Sequence, residues 1–275
     1  MVLIFRFDNN KVYKMPAHFG GSDPPAPDFA VYNRDVVSLS YTCTTDGDQL
    51  ANYVPEGFEL IRPEVMFGFG QLRAIDWLGG GHYNVVTADV PVRFTGKRDR
   101  LEGNFNLVTW ENNATPIIGG REENGVPKIY ADIEDLHVKP AGYFGAPDYF
   151  TNASYDGNTF IRMEMVDAKP MTEEDLTALR ASVATINLLC WRYIPKVGGP
   201  GADLSQPILY PQGFEVDSAW TGSGTVQWTK LRPEQNPTQW HIIKALTELP
   251  VVEMAPVLMY KGVAILKPSQ GRVLE

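Results

Sequence analysis

Short runs in which apolar and polar residues alternate are the feature of this sequence that most constrains its fold. The clearest runs cover residues 36–41, 65–70, 83–94 and 160–165. Successive side chains of a β-strand point to opposite faces, so a period of two is typical of strands with one buried face. The 25 glycines and 21 prolines supply turns between these runs. The pattern therefore predicts mainly antiparallel β-structure.

Three segments carry a helical pattern instead. Asp46 is a suitable N-cap for a short helix ending near Tyr53, and Thr172 precedes an acidic first turn. A third helix is predicted over residues 237–249, where apolar residues recur at helical spacing. No internal repeat or long linker divides the chain. We therefore predict a single α+β domain over residues 1–275.

The composition excludes several classes of function. The 275 residues carry a formal net charge of -9 and no cluster of basic residues, which argues against nucleic-acid or anionic-membrane partners. The two cysteines, Cys43 and Cys190, form no disulfide framework, and no signal peptide precedes them, so a cytoplasmic location is expected. The histidines and cysteines lack metal-ligand spacing, and no glycine motif indicates a nucleotide, so we expect neither a metal nor a cofactor.

The segment from Gly120 to Lys128 contains the strongest chemical signal. Lys128 follows Pro127 and is flanked by Val126 and Ile129. An amine must lose its proton before it attacks a carbonyl, and desolvation by apolar neighbours favours the neutral form. Lys128 is therefore a candidate nucleophile. The other interpretation is a lysine on an edge strand that points into water.

Five further motifs occur in an order that extends this signal over roughly residues 34–266. They are Asn33-Arg34-Asp35, Val54-Pro55-Glu56, Gly120-Arg121-Glu122 before Pro127-Lys128, Ala219-Trp220-Thr221-Gly222 and Leu249-Pro250-Val251. With these motifs in this order, the chain resembles the acetoacetate decarboxylase superfamily. The resemblance implies a bent, mainly antiparallel sheet that closes into a cone or barrel with a few outer helices. It also implies homo-oligomers and a Schiff base between Lys128 and a keto acid or ketone, without a cofactor.

Departures from the family pattern bear on the reaction. A second lysine directly follows the reactive one in true acetoacetate decarboxylases, whereas this chain has Ile129. Two glutamates of the family align near Gly68 and Val85, so both are absent. The chain resembles more closely a branch of aldolase-dehydratases, which join pyruvate to an aldehyde through a lysine enamine and then lose water.

The resemblance to this branch assigns further catalytic residues. The branch has an amide side chain shortly before the lysine, where this chain has Asn124 in place of glutamine, and a late tyrosine, which corresponds to Tyr260. Tyr260 could equally be a core aromatic residue. Arg34 is the candidate cation for a substrate carboxylate, since an arginine fork matches two carboxylate oxygens. Further side chains predicted to support or line the site are Arg121, Glu122, His82, Tyr83 and Trp220.

The resulting hypothesis is a Schiff-base carbon–carbon lyase. It would catalyse aldol condensation and dehydration with a pyruvate-like donor, or decarboxylation of a 3-oxo acid. One alternative is a cyclase or dehydratase that uses Lys128 as a cation or base on a larger polyketone. Another is a protein that binds a small acid without catalysis.

Overall fold

The fold is dominated by one strongly curved sheet. The computed structural model describes residues 5–139 and 148–275, and within them the chain forms a 15-stranded sheet and four α-helices. The strands are β1 (Val31–Thr44), β2 (Phe58–Leu60), β3 (Glu64–Ile75), β4 (Gly81–Thr95), β5 (Arg100–Glu111), β6 (Lys128–Tyr130), β7 (Asp132–Ile133), β8 (His137–Val138), β9 (Tyr149–Tyr155), β10 (Asn158–Pro170), β11 (Ile186–Pro195), β12 (Ala202–Trp228), β13 (Glu253–Met254), β14 (Val257–Leu266) and β15 (Arg272–Val273). The helices are α1 (Gly47–Ala51), α2 (Ala114–Asn124), α3 (Glu173–Val183) and α4 (Trp240–Thr247), and Ala17–Phe19, Asp76–Leu78 and Pro268–Gln270 form single 3-10 turns.

The long strand β12 closes the sheet on itself. The strand order is β11-β5-β4-β3-β1-β14-β12-β10-β9-β7, and β12 also pairs with β11. The first part of β12 contacts β11, whereas later residues pair with β14 and β10. β5 is parallel to β11 and to β6, and the other pairings between the described strands are antiparallel. The predicted fold class, a bent and mainly antiparallel sheet with a few helices, is confirmed.

The interior of the sheet is filled by the side chains that the period-two pattern selects. On β4, Val86, Ala88, Val90 and Val92 are fully buried, and the residues that separate the first three are less buried, as predicted. Trp110 from β5 packs beside the ring of Phe160, with ring centroids 5.2 Å apart. Removal of this apolar surface from water is the main favourable contribution to folding.

The three predicted helices are confirmed, with different boundaries. Asp46 caps α1 by accepting a hydrogen bond from the backbone N–H of Gln49 at 2.9 Å. Thr172 caps α3 in the same way through the N–H of Asp175 at 3.1 Å. The third helix, α4, is shorter than the predicted range 237–249, because turns occupy the residues before Trp240. None of the helices in the described part of the chain has the length and hydropathy to cross a bilayer.

The sequence pattern does not predict α2, the helix that carries Gly120-Arg121-Glu122. Pro116 and two adjacent glycines are poor helix formers, and the apolar residues of α2 do not gather on one face. Local capping compensates for this composition. The Asn113 side chain accepts from the N–H of Thr115 at 2.9 Å, and Gly125 ends the helix in the left-handed conformation with a φ of 69°.

Gln239 connects α4 to the strand that begins at Lys128. Its side-chain oxygen accepts a hydrogen bond from the indole N–H of Trp110 at 2.9 Å. Its amide nitrogen donates to the backbone carbonyl of Tyr130 at 2.8 Å. Gln239 is buried, so no water replaces either bond if the amide is removed. The position of the short strand β6 therefore depends on this side chain.

We expect Gln239→Leu to lower the free energy of unfolding by about 2–4 kcal/mol, because two buried polar groups lose their partners. Gln227→Leu, at an exposed position on β12, is the matched control and should change stability by less than about 0.5 kcal/mol. Urea unfolding of both variants measures the difference. Equal effects of the two substitutions would contradict the assigned role of Gln239.

Candidate active site

Lys128 and Glu111 form a buried charge pair at the centre of the candidate site. Lys128 is the first residue of β6 and aligns with Thr109 on the parallel strand β5. Its Nζ lies 2.8 Å from Oε1 of Glu111, and the two side chains are 14% and 3% exposed. The structure thus rules out a lysine that points into open water. A buried amine next to a buried carboxylate is an arrangement that active sites use to move protons.

A tight turn between α2 and β6 aims the lysine inward. The backbone N–H of Val126 donates to the carbonyl of Gly120 at 3.1 Å, and the N–H of Lys128 donates to the carbonyl of Val126 at 2.7 Å. Pro127 offers its carbonyl to the N–H of Thr109 at 3.1 Å, which fixes the segment against β5. Each end of the turn is therefore held by backbone hydrogen bonds.

Gly120 provides the space in which the lysine side chain lies. A Cβ atom at this position would be 2.5 Å from Cδ and 2.6 Å from Cε of Lys128, well inside van der Waals contact. Arg121 supports the same residue, because its Nη1 donates to the Lys128 carbonyl at 2.8 Å. Among the described residues, Arg121 and Glu122 form no ion pair with each other. The carbonyl of Glu122 instead accepts a hydrogen bond from the guanidinium of Arg192.

Glu111 is a candidate functional residue that the sequence reasoning misses. Burial raises the pKa of its carboxyl, and the Lys128 ammonium opposes that shift. Its second oxygen, Oε2, is buried and has no hydrogen-bond partner among the described residues. Glu111 pairs across the sheet with Val85, one of the two positions where this chain lacks a glutamate of the family pattern. A carboxylate is therefore present, but it comes from β5, and a lone acid at the end of an apolar run gave no signal.

Two buried tyrosines face Glu111 from other strands. Burial raises the pKa of Tyr83 on β4 well above its usual value, and the charge of Glu111 adds to this effect. Burial likewise raises the pKa of Tyr210 on β12, with smaller contributions from Cys190, Glu123 and Glu111. Tyr83 is among the residues predicted to line the site, whereas Tyr210 and Cys190 are not. Both phenols stay protonated at neutral pH and can donate hydrogen bonds.

Arg34 lies at the surface in this structure. Its Nε and Nη2 donate to the two oxygens of Asp76 at 2.8 and 2.6 Å, and its side chain is 57% exposed. In the same motif, Asn33 is the residue that is buried. One edge of the guanidinium fork is thus already occupied by a carboxylate. A role for Arg34 in holding the substrate stays a prediction, and it requires Asp76 to give way to the substrate.

The remaining predicted residues lie in different surroundings. Tyr260 is half-buried on β14, in an apolar cluster that also contains Tyr83, and its ring meets Phe214 edge-on at 4.9 Å. Asn124 is the last residue of α2, and its side chain makes no hydrogen bond within residues 5–139 and 148–275. His82 is exposed, and Trp220 is half-buried against the main core. Roles for these residues in catalysis stay predictions.

Two surface grooves lie next to the lysine turn. One of about 340 Å³ is lined mainly by apolar side chains of β5 and α4, such as Leu107 and Leu246. A smaller groove of about 240 Å³ lies beside Arg121. Pro127 borders both grooves, but Lys128 lines neither. Lys128 and Glu111 therefore remain the candidate site, since the grooves contain no comparable pair of buried charges.

A second acid, Asp89, lies in a polar network on the same strands. Asn106 donates to Asp89 at 2.7 Å, and the hydroxyl of Thr109 donates to Asn106 at 2.9 Å. Thr109 is also the residue that aligns with Lys128. Burial raises the pKa of Asp89 to about 6, and the hydrogen bonds from Asn106 and Thr87 offset only part of this effect.

The raised pKa of Asp89 makes stability depend on pH. The folded state binds the proton more tightly than the unfolded chain, where the pKa is near 4, so stability falls as pH rises from about 4 through about 6. We expect Asp89→Asn to raise the free energy of unfolding at pH 7 by up to about 3 kcal/mol, with little effect near pH 4.

Asp99 offers a control of opposite sign for this measurement. A hydrogen bond from Arg272 holds its pKa at about 2, so its stabilising effect is present above pH 4 and disappears below that value. Asp99→Asn should therefore lower stability at pH 7. Urea unfolding across this pH range measures both effects. A pH profile of Asp89→Asn identical to that of the unmodified protein would contradict the assignment.

Comparison with solved structures supports the fold. The structure of acetoacetate decarboxylase from Legionella pneumophila covers all of this chain, and 92% of that protein is matched, with a TM-score of 0.68 and 19% identity. The enduracididine biosynthesis enzyme MppR, complexed with pyruvate, matches 96% of this chain and 98% of its own, with a TM-score of 0.69 and 15% identity. At these identities the matches show a shared fold.

Sequence comparison gives the family. Acetoacetate decarboxylase 2 of Mesorhizobium japonicum is 28% identical over 251 residues, which cover 91% of this chain and 84% of that protein. The family model described as acetoacetate decarboxylase matches residues 14–266, nearly the whole chain. The protein therefore belongs to the acetoacetate decarboxylase family.

Proposed function

We propose that this protein is a cofactor-independent carbon–carbon lyase in which Lys128 forms a Schiff base with a keto acid. The buried pair of Lys128 and Glu111 is the observation that carries the proposal. The family and its characterised relatives support an enzyme of the decarboxylase or a related lyase class. A lysine that is largely removed from water and packed against Gly120 is suited to act as a nucleophile.

The reaction begins when the neutral amine of Lys128 attacks the ketone carbon. A carbon–nitrogen bond forms, the ketone oxygen leaves as water, and a positively charged iminium remains on the lysine. The iminium draws electrons from the neighbouring carbon. Loss of CO2 or of a proton from that carbon then gives an enamine, which either takes up a proton or attacks an aldehyde.

We favour aldol condensation and dehydration with a pyruvate-like donor. Ile129 replaces the second lysine expected of acetoacetate decarboxylases, and the structurally similar MppR binds pyruvate. In this scheme Tyr260 and Asn124 orient the new hydroxyl so that it leaves as water, and Arg34 exchanges Asp76 for the substrate carboxylate. Decarboxylation of a 3-oxo acid is the second candidate, favoured by relatives described as acetoacetate decarboxylases.

Borohydride reduction tests the Schiff base directly, because it converts an iminium into a stable amine that adds mass to the protein. We expect a mass gain after incubation with pyruvate or acetoacetate, followed by borohydride, in the unmodified protein. Lys128→Arg keeps a cation beside Glu111 but should give no adduct, whereas Lys97→Ala, at an exposed position, should behave as the unmodified protein.

The acid that is trapped faster distinguishes the two reactions, with pyruvate indicating aldol chemistry and acetoacetate indicating decarboxylation. A peptide digest should place the adduct on Lys128. Failure of both acids to give an adduct, or an unchanged yield in Lys128→Arg, would contradict the proposed function.

Gly120→Ala should impair trapping without unfolding the protein. The new methyl group would contact the flexible end of the Lys128 side chain, which can move away. The substitution should therefore displace the lysine amine without disrupting the packing of the core. A displacement of about 1 Å is expected to reduce the rate of adduct formation about 100-fold. Gly119→Ala, next to it in α2, meets only Glu123 Oε1 at 3.3 Å and should leave the rate unchanged. Equal rates in the two variants would show that Gly120 does not position Lys128.

A further inference from the structure

We propose that Glu111 is the acid–base residue of this site, which removes the proton from Lys128 and later delivers it to the oxygen that leaves as water. The inference rests on the proposed function and adds to it a residue, Glu111, to which the family resemblance assigned no role. It assigns a separate task to each oxygen of the carboxylate.

The geometry gives Glu111 access to both reaction partners. Oε1 lies 2.8 Å from Nζ of Lys128, within range for direct proton transfer. Oε2 belongs to the same buried side chain and has no hydrogen-bond partner among the described residues. A buried carboxylate oxygen normally has a hydrogen-bond donor. The hydroxyl formed when a ketone adds to Lys128 supplies such a donor close to the attacked carbon.

The protons and charges balance over the sequence. Lys128 ammonium gives one proton to Glu111, and the resulting amine forms a carbon–nitrogen bond with the ketone. A proton moves from nitrogen to the former ketone oxygen, which becomes a hydroxyl. Glu111 then protonates this hydroxyl, the carbon–oxygen bond breaks, and water leaves. The site begins with an ammonium beside a carboxylate and ends with an iminium beside the same carboxylate.

Burial makes Glu111 a better proton acceptor than an ordinary carboxylate, because it raises the pKa of the carboxyl. Its side chain is 3% exposed, so the free energy of the charged form is high and the pKa of the carboxyl is raised. The groups that face it are Lys128 from β6, Tyr83 from β4 and Tyr210 from β12. Burial raises the pKa of both tyrosines, so they keep their protons. Glu111 is the proton acceptor in this set.

A purely structural counter-ion would behave differently. It would hold Lys128 in place and exchange no protons, and its replacement by an uncharged group would favour the neutral amine, so trapping at neutral pH would not become slower. A proton carrier sets the shape of the pH profile. The experiment therefore has to measure the rate of trapping over a range of pH and not at one value.

The test compares Glu111→Gln with Glu102→Gln, which replaces an exposed glutamate on the same strand. The measured quantity is the rate at which the borohydride-trapped adduct forms, with whichever of pyruvate and acetoacetate is trapped faster. We expect the rate at neutral pH to fall by about 10²–10⁴ in Glu111→Gln and to rise steadily with pH, since only solvent can take the proton. Glu102→Gln should keep the rate and profile of the unmodified protein.

A second variant separates chemistry from folding. Glu111→Ala leaves space for a small acid, and added formate should restore part of the rate if a carboxylate is the missing proton carrier. Unfolding in urea shows that each variant is folded under the assay conditions. Trapping in Glu111→Gln at the unmodified rate, an unaltered pH profile, or failure of formate to restore Glu111→Ala would overturn the inference while the Schiff base stands. Absence of any adduct in the unmodified protein would overturn the proposed function itself.

Discussion

The buried contact between Lys128 and Glu111 is the interaction on which the other features of the site depend. Each charge would be costly in this environment without the other, because neither side chain reaches much water. The turn after α2, the space left by Gly120 and the hydrogen bond from Arg121 all fix the lysine end of the pair. The sheet supplies the other end from β5. The site thus consists of one buried ion pair, whose two residues are fixed by the surrounding backbone and side chains.

The alternating pattern was sufficient to predict the strands, because burial of one face of a sheet requires apolar and polar residues to alternate within each strand. It was not sufficient for α2, whose glycines and proline oppose a helix and whose stability comes from caps and from packing against β6. The family resemblance located Lys128 without giving its partner. Glu111 contacts Lys128 because β5 and β6 pair in parallel register. A short sequence motif contains no information about this pairing.

The placement of the predicted residues also shows the limits of transferring roles by motif. Arg34 occupies the expected position in the chain, yet a neighbouring turn provides Asp76 as its partner. Conversely, position 85 carries no carboxylate, but its cross-strand neighbour Glu111 does. Comparison of positions along a single strand does not reveal such a neighbour, whereas comparison across the sheet does.

The closure of the sheet has a consequence for the order in which the candidate site is assembled. β5, α2 and β6 are consecutive in the chain, so the lysine and its glutamate can meet early during synthesis. β1, however, finds its neighbour β14 only when nearly the whole chain has left the ribosome. Until then the two charges remain hydrated, as in a nascent chain, and their attraction is weak. The closed sheet that contains the pair is therefore completed by the last long strand, far from the lysine in sequence.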